Sequence, residues 1–91
     1  MIGGSPRVSY PAKSAANKAK HGIDFVEAQA LWTDPDRLEI PARSVDEPRA
    51  QVIGIIGTQV WSAFITSRGE RVRIISVRRA RDEEKTRYIG R

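Results

Sequence analysis

The feature that most constrains how this chain can fold is a run of three β-rich segments, Gln51 to Ile56, Val60 to Thr66 and Glu70 to Val77, separated only by Gly57-Thr58-Gln59 and Ser67-Arg68-Gly69. Connectors this short cannot carry a crossover to a parallel neighbour, so the segments must turn back on one another as an antiparallel meander. The last segment continues as ERVRIISVRRAR. Within it Ile74, Ile75 and Val77 call for burial, while Arg71, Arg73, Arg78, Arg79 and Arg81 call for water or anions. That strand has to be core and cationic edge at once.

The chain ahead of the meander reads as two helices and an edge strand. Residues 1 to 6, with Gly3, Gly4, Ser5 and Pro6, are expected to form a tail. Arg7 to Tyr10 is expected to be a short strand ended by Pro11. From Pro11 to His21, Ala12, Ala15, Ala16 and Ala19 share one helical face, which reads as the contact face, and Gly22 follows as a C-cap. The opposite stripe is Lys13, Asn17, Lys20 and His21. Asp24 and Glu27 have the spacing of a capping box for a second helix from Phe25 that buries Phe25, Ala28, Leu31 and Trp32, and Pro35 ends it. Leu38 and Ile40 alternate with polar neighbours as a strand does, and Pro41 assigns that strand to a sheet edge. Residues 42 to 50 read as an exposed loop. Arg81 to Ile89 reads as a short helix, acidic at its start through Asp82, Glu83 and Glu84 and followed by Gly90.

The expectation is an α+β fold: a short N-terminal strand and two helices packed on a small antiparallel sheet, with a C-terminal helix. Ninety-one residues allow one such domain, spanning 7–91 after the tail. The formal charge is +5, distributed as +4 over residues 1–22, −4 over 23–59 and +5 over 60–91. Two basic ends flanking an acidic middle suit a phosphate backbone if the fold brings those ends together. The absence of cysteine excludes disulfides and thiolate metal sites, and a single histidine excludes a histidine-rich metal site, so no cofactor is expected. MIGGSPRVSY lacks the apolar core of a signal peptide and no apolar run approaches membrane-spanning length, so a cytoplasmic location without membrane contact is the expectation.

Two phrases, PAKSAANKAKHGIDFVEA and ERVRIISVRRARDEEKTRY, resemble the BrnT family, the toxin halves of bacterial type II toxin–antitoxin pairs, and the likeness covers roughly residues 8 to 89. The resemblance implies a RelE-like fold and RNA cleavage that needs no metal. It further implies growth inhibition and neutralisation by a BrnA-type ribbon-helix-helix antitoxin whose complex binds operator DNA. The chain departs from the family pattern twice. Tyr10 runs directly into Pro11 with no intervening Asp, and Ser67 stands where a Glu often precedes the Arg-Gly turn.

Metal-free RNA cleavage uses the substrate's 2′-OH as nucleophile. It needs a base for that proton, an acid for the leaving oxygen, and cations for the charge on phosphorus. Histidine is the residue type most often used for proton transfer, and His21 or Lys20 is the candidate for that role, although Lys20-His21-Gly22 also suits a helix C-terminus. Arg78 is the candidate for the scissile phosphate, with Lys13, Arg73, Arg79 and Arg81 as further phosphate ligands. Strand alternation sets Arg71, Arg73 and Arg79 on the face opposite Arg78 unless twist or a bulge intervenes. Glu70 is a possible accessory base. Tyr88 could stack on a nucleobase or else anchor the terminal helix. The rival to an active ribonuclease is an inactive family member that only binds antitoxin or RNA, which the two departures favour.

Overall fold

In the computed structural model, residues 11–42, 49–68 and 71–90 are described. The expected tail, the strand at Arg7 to Tyr10, the middle of the 42–50 connection and Glu70 lie outside them. Helices α1 (Pro11–His21) and α2 (Phe25–Ala28) come first, α2 running on as a 3₁₀ turn over Gln29–Thr33. Strands β1 (Leu38–Ala42), β2 (Arg49–Ile56), β3 (Gln59–Arg68) and β4 (Arg71–Arg79) follow, and α3 (Asp82–Ile89) ends the order. The strands form one sheet in the order β1-β2-β3-β4, each pair antiparallel. The fold is therefore α+β, with the meander read from the short connectors at its centre.

Strand pairing extends further than the alternation implied. Ala42 pairs with Arg49 and Pro41 with Ala50, so both ends of the expected 42–50 loop are strand. Between β2 and β3, Ile56 pairs with Gln59, which leaves Gly57-Thr58 as a two-residue turn. Gly57 has φ +63° at the first turn position while Thr58 stays in the ordinary region, the pattern of a type II′ hairpin. Between β3 and β4 the register slips by one: Phe64 faces Ser76 but Ile65 faces Ile74, so Ile75 is the extra residue of a bulge.

Each sheet face carries its own apolar cluster, because Val52 and Ile53 point opposite ways along β2. On one face Ile23, Phe25, Ala28 and Leu31 pack against Val52, Ala63, Ile65, Val72, Ile74 and Val77. Full burial of a side chain the size of Phe25 or Leu31 contributes about 1.5–3 kcal/mol, so this face supplies most of the apolar stabilisation. On the other, Ile53, Val60 and Ala80 pack with Leu38, Ile40 and Tyr88 of α3. The Asp24 capping box is formed: Glu27 N donates to Asp24 Oδ1 at 2.7 Å and Asp24 N donates to Glu27 Oε1 at 3.0 Å. Asp34, extended before Pro35, stops the helical run. Its buried carboxylate accepts from the N–H groups of Asp36 and Ile55 and, at 2.6 Å, from the Tyr88 hydroxyl. Gly54 lies beneath this turn, where a Cβ would come within 3.0 Å of Leu31 Cδ2 and 3.2 Å of Asp34 Oδ2.

Helix α1 packs in the opposite sense to the expectation. Ser14 and Asn17 are its buried residues, while Ala12, Ala15, Ala16 and Ala19 are exposed. Hydrogen bonding outweighs apolar patterning here. Asn17 Nδ2 donates to the carbonyls of Ile23 at 2.7 Å and Val77 at 2.9 Å, and Asn17 Oδ1 accepts from Val77 N–H at 3.1 Å. Ser14 Oγ accepts from Phe25 N–H at 2.9 Å. The Asn17 amide thus pairs with the outer edge of β4 as a strand would, an edge that no further strand among the described residues covers. Gly22, at φ +83°, closes the helix with its N–H on the Lys18 carbonyl, as its position suggested.

Candidate functional site

The bulge at Ile75 decides which arginines share a sheet face. Ser62, Phe64 and Thr66 alternate onto the sheet face that α3 covers, and their partners across the ladder are Arg78, Ser76 and Arg73. Arg73 and Arg78 therefore share a face although uniform alternation would separate them. Arg78 lies over the Phe64 ring, its guanidinium carbon 5.2 Å from the ring centroid. Arg79 projects from the opposite face, over Trp61 at 5.8 Å, and is exposed. Arg81 is exposed at the start of α3.

Arg78 is held by Glu84, a residue that sequence reasoning assigned only to helix charge balance. Nη1 donates to Oε1 at 2.8 Å and Nη2 to Oε2 at 2.9 Å, a bidentate pair. Glu84 also accepts from Gln51 Nε2 at 2.6 Å, Ser62 Oγ at 3.0 Å and Arg81 N–H at 2.8 Å. Burial alone would raise its pKa, but the bonds from Arg78, Arg81 N–H, Gln51 and Ser62 together outweigh burial and hold the carboxyl down at about 2. It is a fixed anion near neutrality and unsuited to donating a proton. Among the described residues α3 buries no side chain fully, so it is docked by this carboxylate and by the partly buried Tyr88. The Tyr88 bond to Asp34 fits the anchoring role rather than base stacking. A cavity of about 330 Å³ lined by Gln51, Ile53, Glu83, Glu84, Thr86 and Arg87 runs along the same helix.

The two proton-transfer candidates lie elsewhere. Lys20 is exposed and His21 half-buried at the C-terminal end of α1, the helix that Asn17 attaches to the outer edge of β4. Neither makes a hydrogen bond or ion pair with Arg78 or Glu84. Lys13 is exposed on the first turns of α1. The site is thus two groups: arginines on the α3 face of the sheet, and Lys20 with His21 at one end of α1. A pair spaced as Arg81 and Glu84, three residues apart at a helix start, was the available signal for Glu84. Asn17 carried none, since it lay on the polar stripe opposite the alanines, which reads as the solvent side.

A family model, the ribonuclease toxin BrnT of type II toxin–antitoxin systems, matches residues 10–84. The chain belongs to the BrnT family. The match runs from the residue before α1 to Glu84 and takes in the whole sheet. It makes the chain a toxin of the ribonuclease kind, paired with an antitoxin and directed at RNA. Comparison with curated proteins gave no match. Among the described residues, no helix is long and apolar enough to cross a membrane.

Proposed function

We propose that this BrnT chain is an active, metal-independent endoribonuclease that inhibits translation and growth in the cytoplasm and is neutralised by a BrnA-type ribbon-helix-helix antitoxin, the pair binding operator DNA. The observation that carries the reading is the bulge at Ile75, which gives Arg73 and Arg78 a common face beside the Phe64 ring. Two guanidinium groups and an aromatic ring on one sheet face suit a phosphodiester and its neighbouring base.

In the proposed reaction the substrate 2′-oxygen attacks phosphorus and its proton passes to a base. The 5′-oxygen leaves with a proton from an acid, giving a 2′,3′-cyclic phosphate and a 5′-hydroxyl. Lys20 or His21 handles protons, and RNA would span the outer edge of β4 to reach both them and the arginines. Arg78 stabilises the charge that grows on the phosphoryl oxygens, and Arg73, farther along the same face, contacts a neighbouring part of the RNA backbone. Arg79 projects from the far face and fits backbone contact outside the reacting centre. Removing a donor aimed at developing charge slows such reactions about 100-fold or more.

A rival reading, an inactive member that binds antitoxin or RNA, is favoured by the engagement of Arg78 with Glu84 and by the absence of Asp before Pro11. Colony formation under inducible expression separates the two, with wild type, His21→Ala and Arg78→Ala each checked for folding and abundance. Growth arrest by wild type, relieved by Arg78→Ala, is expected. A harmless wild type at equal abundance would overturn the catalytic reading in favour of the binding module.

A further inference from the structure

Arg78 has five N–H donors, and three of its bonds are visible. Nη1 binds Glu84 Oε1 and, at 3.2 Å, the Arg79 carbonyl, and Nη2 binds Glu84 Oε2. Among the described residues the Nε–H and the second Nη2–H have no partner. They lie along the same side edge of the planar guanidinium and form a second two-donor fork of the spacing that suits a phosphate. Among the described residues no side-chain nitrogen or oxygen is both buried and unpartnered, so the unbonded Nε must reach solvent. Glu84 on one edge and the Phe64 ring against one face restrict the group's rotation, and the free edge is the one that remains.

The other partners of Glu84 decide whether it presents Arg78 or neutralises it. Gln51 from β2, Ser62 from β3 and the Arg81 N–H all donate to the same carboxylate. Its negative charge is divided among donors on four segments, so the guanidinium keeps a net positive field toward its open edge. A carboxylate anchored so heavily is also a rigid support, and a fork held in place loses less freedom when it binds phosphate than a solvated arginine would.

We infer that Glu84 is a positioning residue for the ribonuclease reaction, fixing Arg78 by its end edge so that the Nε–Nη2 edge receives the RNA phosphate. The inference rests on the ribonuclease reading above. A purely structural carboxylate that docks α3 would act equally with or without Arg78. A carboxylate that blocks Arg78 would, when removed, leave the enzyme faster. Positioning gives a third pattern, in which removing Glu84 matters only while Arg78 is present.

The test is a double-mutant cycle on cleavage of a short single-stranded RNA by wild type, Glu84→Gln, Arg78→Ala and the double variant, each shown folded by thermal melting. Beside it, the Nε–Hε resonance of Arg78 in the wild type is followed while fully 2′-O-methylated RNA, which cannot be cleaved, is added. The expected result is a fall of about tenfold or more in kcat/KM for Glu84→Gln, little further loss from that change once Arg78 is absent, and a shifted Nε–Hε resonance at saturation. Equal losses in both backgrounds, or a Glu84→Gln enzyme as fast as wild type or faster, would overturn the inference. Should the variants fail to fold, the wild-type resonance decides it: RNA that binds without moving the Arg78 signal sinks the inference alone. A wild type that neither binds nor cleaves RNA sinks the ribonuclease reading with it.

Discussion

Asn17→Ala should be the most damaging single substitution on α1. The side chain satisfies three backbone groups, the Ile23 carbonyl and both the carbonyl and N–H of Val77, at 2.7, 2.9 and 3.1 Å. Asn17 is 7% exposed, so water replaces it poorly. Each orphaned group costs about 1–3 kcal/mol, and allowing one partial rescue by water the loss comes to about 3–4 kcal/mol. For a domain of this size, that lowers the melting temperature by roughly 15–25 °C. Urea unfolding followed by circular dichroism, with calorimetry for the melting point, measures it. Asn17→Asp supplies a control on mechanism, since the carboxylate keeps the acceptor for Val77 N–H but turns an anion toward two carbonyls. Its loss should match or exceed that of alanine at neutral pH and shrink as the new carboxyl protonates. A loss under 1 kcal/mol for Asn17→Ala would refute the edge-capping account and return the weight to apolar contacts of α1.

Three further outcomes follow from the geometry. Glu84 titrates at about 2 in the fold against about 4.5 ordinarily, so its stabilisation is complete above pH 4.5 and disappears as pH falls toward 2. The displacement corresponds to about 3 kcal/mol, or about 1–2 kcal/mol after screening by nearby solvent, and acid unfolding of Glu84→Gln should lack that increment between pH 5 and 2 (about the interval in which linkage acts). Gly54→Ala puts a methyl group against Leu31 Cδ2 and Asp34 Oδ2 and should destabilise by about 1–3 kcal/mol in urea. Tyr88→Phe removes one of the donors to Asp34 but leaves the two backbone ones; a loss of about 1 kcal/mol and faster amide exchange confined to α3 are expected.

Local signals in the sequence carried the fold well wherever backbone chemistry was decisive. Gly57 and Gly22 adopt positive φ where turn and cap were read, Asp24 and Glu27 close their capping box, and Pro35 stops the helical run. Patterning misled at α1, because four alanines look like a contact face only if burial is driven by apolar area. An alanine stripe offers little area, and one buried amide with three good bonds fixes the helix the other way round. The candidate site was legible in its residue types but not in its grouping. Arg78 was named, yet whether Arg73 or Arg79 accompanied it depended on a slip between Phe64 and Ile65 that leaves no mark in composition. Glu84 was hidden for a related reason: an acidic residue in the first turn of a helix is ordinary, and its bonds to β2, β3 and β4 depend on how α3 sits across the sheet.

The extra residue in β4 means that the strand has two phases of alternation rather than one. Side chains on the same side of Ile75 face the same way when an even number of positions separates them; across Ile75 the separation must be odd. Arg73 and Arg78, five positions apart, obey the second rule. A single-residue deletion at Ile75 would bring the strand back into one phase and leave Arg73 and Arg78 four positions apart, still on one face; a strand that kept Ile75 but lost the bulge would send one of them through the sheet. In this chain the number of residues between the two arginines and the bulge that absorbs one of them are matched to each other.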